Sequence, residues 1–290
     1  MKILSTLIIA ACLVLSTASQ AQIDTPQPSP LCKISQKVAL TDVEIEYSRP
    51  GMKARTIFGG LVPYGEMWRL GANASTKIKT STDIELGGLK VPKGEYALYA
   101  IPEEGQWTIV VHKNLKHWGV GEYDEAEDLG RFKVKSKKTS NTVETLTIDF
   151  GGFTSSGANL MIMWENTVVN IPIKTNAIQA VEKQIQQVLV DGPSAGTYYN
   201  AARFYLDNDK DMKQALIWID TAIDKRPEAF WYMHQKAKIQ AKMGMNKEAI
   251  ATATKSMEMA QTNEEGDYGY VKNNEMLIAD IKAGKYDMKK

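Results

Sequence analysis

The hydrophobic periodicity of this chain changes once, near Asn176, and this change constrains the fold more than any other feature of the sequence. Before it, apolar and polar residues alternate in short runs, as at Val43, Ile45 and Tyr47, and a period of two is typical of half-buried β-strands. After it, apolar residues recur at helical spacing from Ile178 onward. We therefore expect an α+β protein with two segregated domains, an N-terminal all-β sandwich or barrel and a C-terminal all-α region.

The expected β domain spans residues 32–175 and consists of many short strands. Turns rich in glycine and proline separate the runs, for example at Gly87-Gly88 and Gly151-Gly152, and such even punctuation favours a sandwich or barrel. Besides the run around Ile45, the expected strands are Lys77–Thr80, Ile84–Leu86, Tyr96–Ile101, Trp107–His112, Phe132–Lys135, Val143–Phe150, Leu160–Trp164 and Val168–Ile173.

The expected helical domain, residues 176–290, contains an internal repeat. Small residues recur 34 or 35 positions apart, which is the tetratricopeptide period, and they allow the two helices of a pair to approach closely. The recurring pairs are Ala215 and Ala249, Ala222 and Ser256, and Ala202 and Ala237. This spacing predicts two tetratricopeptide-like helix pairs that serve as a protein-interaction module, with a generic helical bundle as the alternative.

The N-terminus has the pattern of a secretory signal peptide, residues 1–21. Lys2 precedes an apolar run from Ile3 to Leu15, and small residues allow cleavage after Ala21. Lipidation at Cys12 is an alternative, although Cys12 lies inside the apolar run. No run reaches the roughly 20 residues that span a bilayer, so we expect a soluble protein in the periplasm or outside the cell, or one associated with the envelope. Residues 22–31 form a proline-rich spacer.

The charge balance argues against a nucleic-acid or anionic-membrane partner. The chain has 35 Lys+Arg and 34 Asp+Glu, and removal of Lys2 with the signal peptide would leave 34 of each. Proteins that bind nucleic acid or anionic lipid need a net basic surface. The same cleavage leaves Cys32 as the one cysteine, so no internal disulfide is expected.

Three of the six arginines, Arg49, Arg55 and Arg69, fall between Ser48 and Asn73. Arginine pairs bidentately with carboxylate or phosphate and stacks on aromatic rings. One hypothesis is a site for an anion or the polar face of a sugar, for which the candidate ligand-binding residues are Arg49, Lys53, Arg55, Trp68, Arg69 and Asn73. The other is a long ordered loop in which arginines satisfy internal carbonyls and acids.

Motifs for catalysis or metal binding are weak, and we assign no catalytic residue, no metal and no cofactor. Residues 192–196 match G-x-S-x-G, but a helix precedes them, so we expect Ser194 to cap the next helix. His112 and His117 are five residues apart across a strand end and a loop, and this spacing does not predict two ligands on one face. The acidic segment 121–130 is expected to be a solvated loop.

The β half resembles a family of exported bacterial proteins of unknown function, domain of unknown function 2911, found mostly in Bacteroidota. The resemblance covers about Leu31 to Lys174, and the motifs that carry it are Ser48-Arg49-Pro50, Trp68-Arg69-x-Gly71-Ala72-Asn73 and Pro92-x-Gly94-x-Tyr96. It implies an exported β domain with a tetratricopeptide-like companion and no known activity. This chain has Ala54 where the family has glycine, so we expect that turn not to need a positive φ.

The sequence thus predicts a non-enzymatic exported protein, in which a β domain binds a small polar ligand and a helical region binds a protein. One alternative is a periplasmic carbohydrate-active hydrolase or lyase that uses Asp124, Asp128 or His112 as a base. A second alternative is a structural scaffold of an envelope complex, in which all three arginines of the Ser48–Asn73 segment bond internal groups.

Overall fold

The computed structural model describes residues 25–189 and 192–286. The expected signal peptide, Cys12 and the start of the spacer lie outside this part of the chain. Within it, no helix has both the length and the apolar character needed to cross a membrane. The chain divides into two compact units, of which the first includes residues 42–151 and 159–173 and the second includes the chain from Lys174 onward.

The first unit is built on an antiparallel sheet with the strand order β1-β2-β3-β6-β7-β8-β9-β4-β5. Its strands are β1 (Leu31–Val38), β2 (Thr41–Ser48), β3 (Ala72–Thr80), β4 (Ile84–Leu86), β5 (Leu89–Val91), β6 (Gly94–Glu103), β7 (Gln106–His112), β8 (Asp128–Gly151) and β9 (Gly157–Thr175). Helices follow in the second unit. The prediction of an α+β fold with segregated parts is confirmed.

Strands β8 and β9 each run through two of the short strands that the sequence predicts. The pairing of β8 with β9 shifts register between Lys138 and Val143, and Glu165 on β9 has a positive φ of 52°. Such bulges interrupt the alternation of apolar residues without ending the strand, so the sequence pattern breaks where the strand continues. The sequence pattern is strand-like from Lys33, within β1, but it missed the three-residue β5.

The sheet curves so that strands distant in its order meet across a core. On β2, Val43, Ile45 and Tyr47 are buried while the residues between them are more exposed, as the period of two predicts. The Tyr47 hydroxyl bonds the backbone of Ile148 on β8. In the strand order, β3, β6 and β7 lie between these two strands, so the sheet folds back on itself.

A 23-residue segment, 49–71, connects β2 to β3, and we call it the β2–β3 loop. It is anchored along its length although it has little regular structure. Trp68 exchanges two backbone hydrogen bonds with Ala100 of β6, of 2.7 and 2.8 Å, and the Met52 N–H bonds the carbonyl of Glu144 on β8 at 2.7 Å. Ile57 and Leu70 are fully buried. The loop is therefore a fixed part of the sheet unit.

The second unit consists of helices α1 (Ala177–Val188), α2 (Ala195–Asp207), α3 (Met212–Lys225), α4 (Phe230–Lys242), α5 (Asn246–Gln261) and α6 (Tyr270–Lys282). Ser194 caps α2 by accepting a hydrogen bond from the Thr197 N–H at 3.3 Å, as predicted. All six small residues of the expected repeat have no exposed surface.

Candidate functional site

The β2–β3 loop borders an open pocket of 330 Å³ that three of the six candidate residues line: Arg55, Trp68 and Arg69. Most of the remaining lining is apolar, including Leu61, Val62, Met67, Val120 and Trp164. The pocket therefore combines two guanidinium groups with an apolar wall, an arrangement that suits a small ligand with one anionic or polar end.

Arg49 and Arg55 bond internal groups. The Arg49 Nε donates to the carbonyl of Leu146 at 3.0 Å, and its Nη2 donates to the Thr147 hydroxyl at 2.9 Å. Arg55 donates from Nε to the Met52 carbonyl at 3.0 Å and from Nη2 to the Gly51 carbonyl at 2.7 Å. These contacts hold the start of the loop, in agreement with the structural hypothesis for these two arginines.

Arg69 differs from the other two arginines of the loop. Its side chain is partly buried and makes no hydrogen bond or ion pair to any residue in the described part of the chain. A Cβ at Gly119 would lie 3.2 Å from its Nη1, so the glycine leaves room for the guanidinium. The five N–H donors of this partly buried arginine thus have no acceptor among the described residues, and they lie at the edge of the pocket.

Trp68 gives the pocket a rigid wall. It is 9% exposed, and its Nε1–H donates to the Gly71 carbonyl at 3.1 Å. Its ring stacks on Trp164, with centroids 5.9 Å apart and planes at 22°, and it meets the rings of Phe58 and Trp107 edge-on. Aromatic packing on several sides fixes the indole orientation, so a ligand would meet a preformed surface.

Lys53 and Asn73 do not line this pocket. The Asn73 amide donates to the Ser29 carbonyl at 3.3 Å and to the Ser48 hydroxyl at 3.2 Å, so it holds the end of the loop to β2. Lys53 is exposed, and its backbone N–H donates to the Glu144 carboxylate at 2.8 Å. Both residues have a positive φ, Lys53 within the loop and Asn73 just after it, at the start of β3.

The expectation for the turn at Ala54 is wrong. Ala54 has φ of 59° and the preceding Lys53 has φ of 49°, so the turn does need the left-handed region although it contains no glycine at this point. Bonds from the flanking residues, including those of Arg55 to Gly51 and Met52, hold a conformation that alanine alone disfavours.

A second group of polar residues, which we call the histidine cluster, consists of His112, His117 and Glu127. His112 ends β7, His117 follows in the next loop, and Glu127 closes a 3-10 turn, Glu125–Glu127, just before β8. The Glu127 Oε2 lies 3.5 Å from the His112 Nε2 and 3.9 Å from the His117 Nε2. Both imidazoles are buried, at 0% and 6% exposure.

The other ring nitrogen of each histidine has its own partner. His112 Nδ1 lies 3.0 Å from the Asp128 carboxylate, and His117 Nδ1 lies 3.3 Å from the Tyr99 hydroxyl. Asp128 also accepts hydrogen bonds from the Tyr123 hydroxyl at 2.7 Å and from the Arg131 Nε at 2.7 Å. Both Nε2 atoms therefore remain to face Glu127.

The tyrosines of this network stay protonated. Burial and the hydrogen bond to the Asp128 carboxylate raise the pKa of Tyr123 to about 12, so the phenol acts as a donor at neutral pH. Burial also raises the pKa of Tyr99. The network is thus a fixed set of hydrogen-bond donors and acceptors around two imidazoles.

Sequence spacing did not predict this cluster, because the connection between β7 and β8 returns along the chain and places Glu127 beside the end of β7. His112 and Asp128 pair directly in the sheet register, and the Lys113 N–H donates to the Glu127 carbonyl at 3.0 Å. A correct prediction of the antiparallel β7–β8 register could have found the cluster. In that register His112 lies opposite Asp128, which places Glu127 beside the histidine.

Comparison with known proteins gives a family without an activity. A family model described as "Protein of unknown function (DUF2911)" matches residues 29–173, which agrees with the resemblance carried by the motifs of the β half. No curated protein matches the chain.

Proposed function

We propose that this chain, which belongs to the DUF2911 family of proteins of unknown function, binds a small ligand with an anionic or polar end in the pocket of the β2–β3 loop. The observation that carries the proposal is the Arg69 side chain, which lines the pocket without a bonding partner among the described residues. A guanidinium in that state favours a carboxylate, a phosphate or a comparable acceptor.

The volume and lining of the pocket restrict the size and the chemistry of the ligand. A volume of 330 Å³ is at the small end of the usual range for ligand sites, about 300–1,000 Å³. Arg69 would pair with the acceptor end, and the Trp68 ring with Leu61 and Val62 would cover an apolar or flat body. Arg55 lines the same pocket but already bonds two carbonyls, so we assign it a supporting role.

The remaining candidate residues take positioning roles in this proposal. Arg49 and Asn73 hold the two ends of the loop through hydrogen bonds to β8 and β2, and the Lys53 backbone N–H ties the loop to Glu144. The proposal therefore places ligand contact on Arg69 and Trp68, with Arg55 beside them.

The two alternative functions find less support. A scaffold without a ligand predicts that all three arginines bond internal groups, whereas Arg69 has no such partner within the described residues. A hydrolase at this pocket needs an acid or base beside the arginines, and the described lining residues include no Asp, Glu or His. Asp124 accepts from the Ala126 N–H of the 3-10 turn, and Asp128 is bonded to three side chains.

For the helical region, residues 176–290, we propose two tetratricopeptide-like pairs, α2 with α3 and α4 with α5, that mediate protein interaction. Helices α2 and α4 begin 35 residues apart, at Ala195 and Phe230. Helices α3 and α5 begin 34 residues apart, at Met212 and Asn246. Full burial of the six recurring small residues is consistent with close helix approach in both pairs.

We also propose that the protein is exported, because its N-terminus has the pattern of a signal peptide, and that its β domain is bounded by residues 32–175.

Thermal unfolding in the presence of candidate ligands tests the binding proposal. The panel consists of small carboxylates, phosphate esters, acidic sugars and short peptides. A ligand at about 100 times its Kd should stabilise the folded chain by about 2.7 kcal/mol. Arg69→Ala should abolish this stabilisation, and Arg203→Ala, a change at an exposed helical arginine, should retain it. A ligand that stabilises wild type and Arg69→Ala equally would contradict a site at Arg69.

A further inference from the structure

We propose that His112, His117 and Glu127 bind a divalent transition-metal ion such as Zn²⁺. The site is separate from the Arg69 pocket and does not depend on the proposed function. The ligand atoms of the three residues all lie within 4.8 Å of one another, and the three residues come from the end of β7, the loop after it and the turn before β8.

The distances between the ligand atoms suit one metal ion. In a tetrahedral site with metal–ligand bonds of about 2.0–2.1 Å, neighbouring ligand atoms are about 3.3 Å apart. The Glu127 Oε2 is 3.5 Å from the His112 Nε2 and 3.9 Å from the His117 Nε2. The Glu127 side chain is 42% exposed, so its carboxylate can approach the imidazoles without repacking the core.

An unsatisfied buried nitrogen points to a missing partner. His112 has no exposed surface, and its Nε2 has no hydrogen-bond partner in the described part of the chain. Buried polar atoms nearly always have a partner, because an orphaned one costs about 1–3 kcal/mol. When Nδ1 donates its hydrogen to Asp128, Nε2 carries a lone pair, and a cation between this atom, the His117 Nε2 and Glu127 would satisfy all three groups.

The residues that contact the two histidines have the arrangement found around metal-binding histidines. Histidines that ligate metals commonly donate their other N–H to a carboxylate or similar acceptor, which fixes the tautomer and the ring orientation. Asp128 accepts from His112 Nδ1 and is itself held by Tyr123 and Arg131. The Tyr99 oxygen is placed to accept from His117 Nδ1.

Glu127 is also oriented from outside the cluster. The Asn114 amide donates to its Oε2 at 3.0 Å and to its Oε1 at 3.3 Å. This contact holds the carboxylate with Oε2 toward the histidines. Each of the three ligands therefore has a residue that positions it: Asp128 for His112, Tyr99 for His117 and Asn114 for Glu127.

The donor set selects the class of metal. Two imidazoles and one carboxylate suit zinc, iron, cobalt or nickel, whereas calcium and magnesium prefer oxygen ligands alone. Three protein ligands leave at least one coordination position open. Glu127 and Asn114 line a surface depression of 550 Å³ together with Lys113 and Lys116. We place the open position on this side, where the two lysines favour an anionic or water-derived fourth ligand.

Titration of the chelator-treated full chain with Zn²⁺ and Co²⁺ tests the proposal. We expect one ion per chain, a visible Co²⁺ absorption band typical of low-coordinate nitrogen and oxygen ligation, and a higher unfolding temperature with Zn²⁺. Glu127→Gln should weaken the Zn²⁺ affinity at least tenfold. Asp128→Asn, a change at a positioning residue, should weaken it by about 10–100-fold while the stoichiometry stays at one.

The matched control is Glu125→Gln in the same 3-10 turn, which removes an exposed carboxylate that pairs with Arg131. It should bind Zn²⁺ as wild type does, and so should Arg69→Ala. Glu127 is partly exposed, so Glu127→Gln should fold, and its apo unfolding temperature checks this. Absence of Zn²⁺ and Co²⁺ binding to the folded wild-type chain would overturn the proposal. Equal Zn²⁺ affinities of Glu127→Gln and Glu125→Gln would overturn it as well.

Discussion

The hydroxyl of Tyr47 on β2 accepts a hydrogen bond from the backbone N–H of Ile148 on β8 at 2.8 Å and donates one to the carbonyl of the same residue at 3.2 Å. Tyr47 is 2% exposed, so water does not compete for these bonds. Because β2 and β8 are not neighbours in the sheet, this pair fixes how the sheet closes over the core that supports the β2–β3 loop.

Tyr47→Phe is expected to destabilise the chain by about 1–3 kcal/mol, because it leaves the N–H and carbonyl of Ile148 buried without this partner. Denaturant unfolding monitored by tryptophan fluorescence measures the change. Tyr96→Phe is the control, since the Tyr96 hydroxyl makes no hydrogen bond to another described residue, and it should cost less than about 0.5 kcal/mol. Equal losses in the two variants would argue against a structural role for the Tyr47–Ile148 pair.

Truncation of Arg49 should destabilise the chain far more than truncation of Arg69. Arg49→Ala removes two hydrogen bonds from a charged group to β8, so it should lower the free energy of unfolding by about 1.5–3 kcal/mol. Arg69→Ala removes none within the described residues, so it should change that energy by no more than about 0.5 kcal/mol. Urea unfolding of the ligand-free variants checks both values. A large loss in Arg69→Ala would mean that this arginine is structural.

Ala54→Gly should stabilise the chain. Ala54 is exposed and has φ of 59°, a conformation that costs an L-residue about 1–2 kcal/mol, while glycine adds about 0.4–1 kcal/mol of unfolded-state entropy. The net gain should be about 0.5–1 kcal/mol. Ala251→Gly, at an exposed position inside α5, should instead cost about 1 kcal/mol. Thermal unfolding distinguishes the two signs, and destabilisation by Ala54→Gly would contradict the positive φ.

The stability of the helical unit should fall in mild acid because of His234. Its ring is partly buried and bonds Asn274 at 2.8 Å, and burial lowers its pKa from the ordinary value of 6.5. The unfolded chain therefore takes up a proton near pH 6.5 while the folded chain stays neutral. The free energy of unfolding should decrease as pH falls from 6.5 toward the lowered folded pKa, and the loss should stop below it.

Helical circular dichroism during urea unfolding, measured from about pH 8 to about pH 5, gives this dependence. His234→Gln keeps a polar side chain beside Asn274 but removes the titrating group, so its unfolding energy should fall less than that of wild type over this range. An identical decrease in both proteins would assign the acid sensitivity to other groups.

The parts of the fold that depend on local pattern followed from the sequence. The period of two placed strands at Val43–Tyr47, and the glycine and proline turns bounded β6 and β7 within a few residues. Ser194 was predicted as a helix cap because a hydroxyl after Gly-Pro and before a helix satisfies a free N–H. The bulges within β8 and β9 were not predictable, because they depend on cross-strand pairing and not on local preference.

For the candidate site, the sequence predicted which residue types are present but not which of them are free to contact a ligand. Clustering of arginines drew attention to the β2–β3 loop, but which of them bonds a carbonyl depends on β8, some 97 residues away from Arg49. The cluster of His112, His117 and Glu127 requires the antiparallel pairing of β7 with β8. Sequence spacing within one segment carries no information on such a pairing.

Labelling of the folded full chain with an arginine-specific dicarbonyl, followed by peptide mass spectrometry, tests most directly whether Arg69 is available to a ligand. We expect Arg69 to react faster than Arg49, whose guanidinium bonds Leu146 and Thr147. A ligand from the thermal panel should slow the labelling of Arg69 and leave that of Arg203 unchanged. If Arg69 reacts as slowly as Arg49 in the ligand-free chain, its guanidinium is already bonded in solution, and the proposed binding site is wrong.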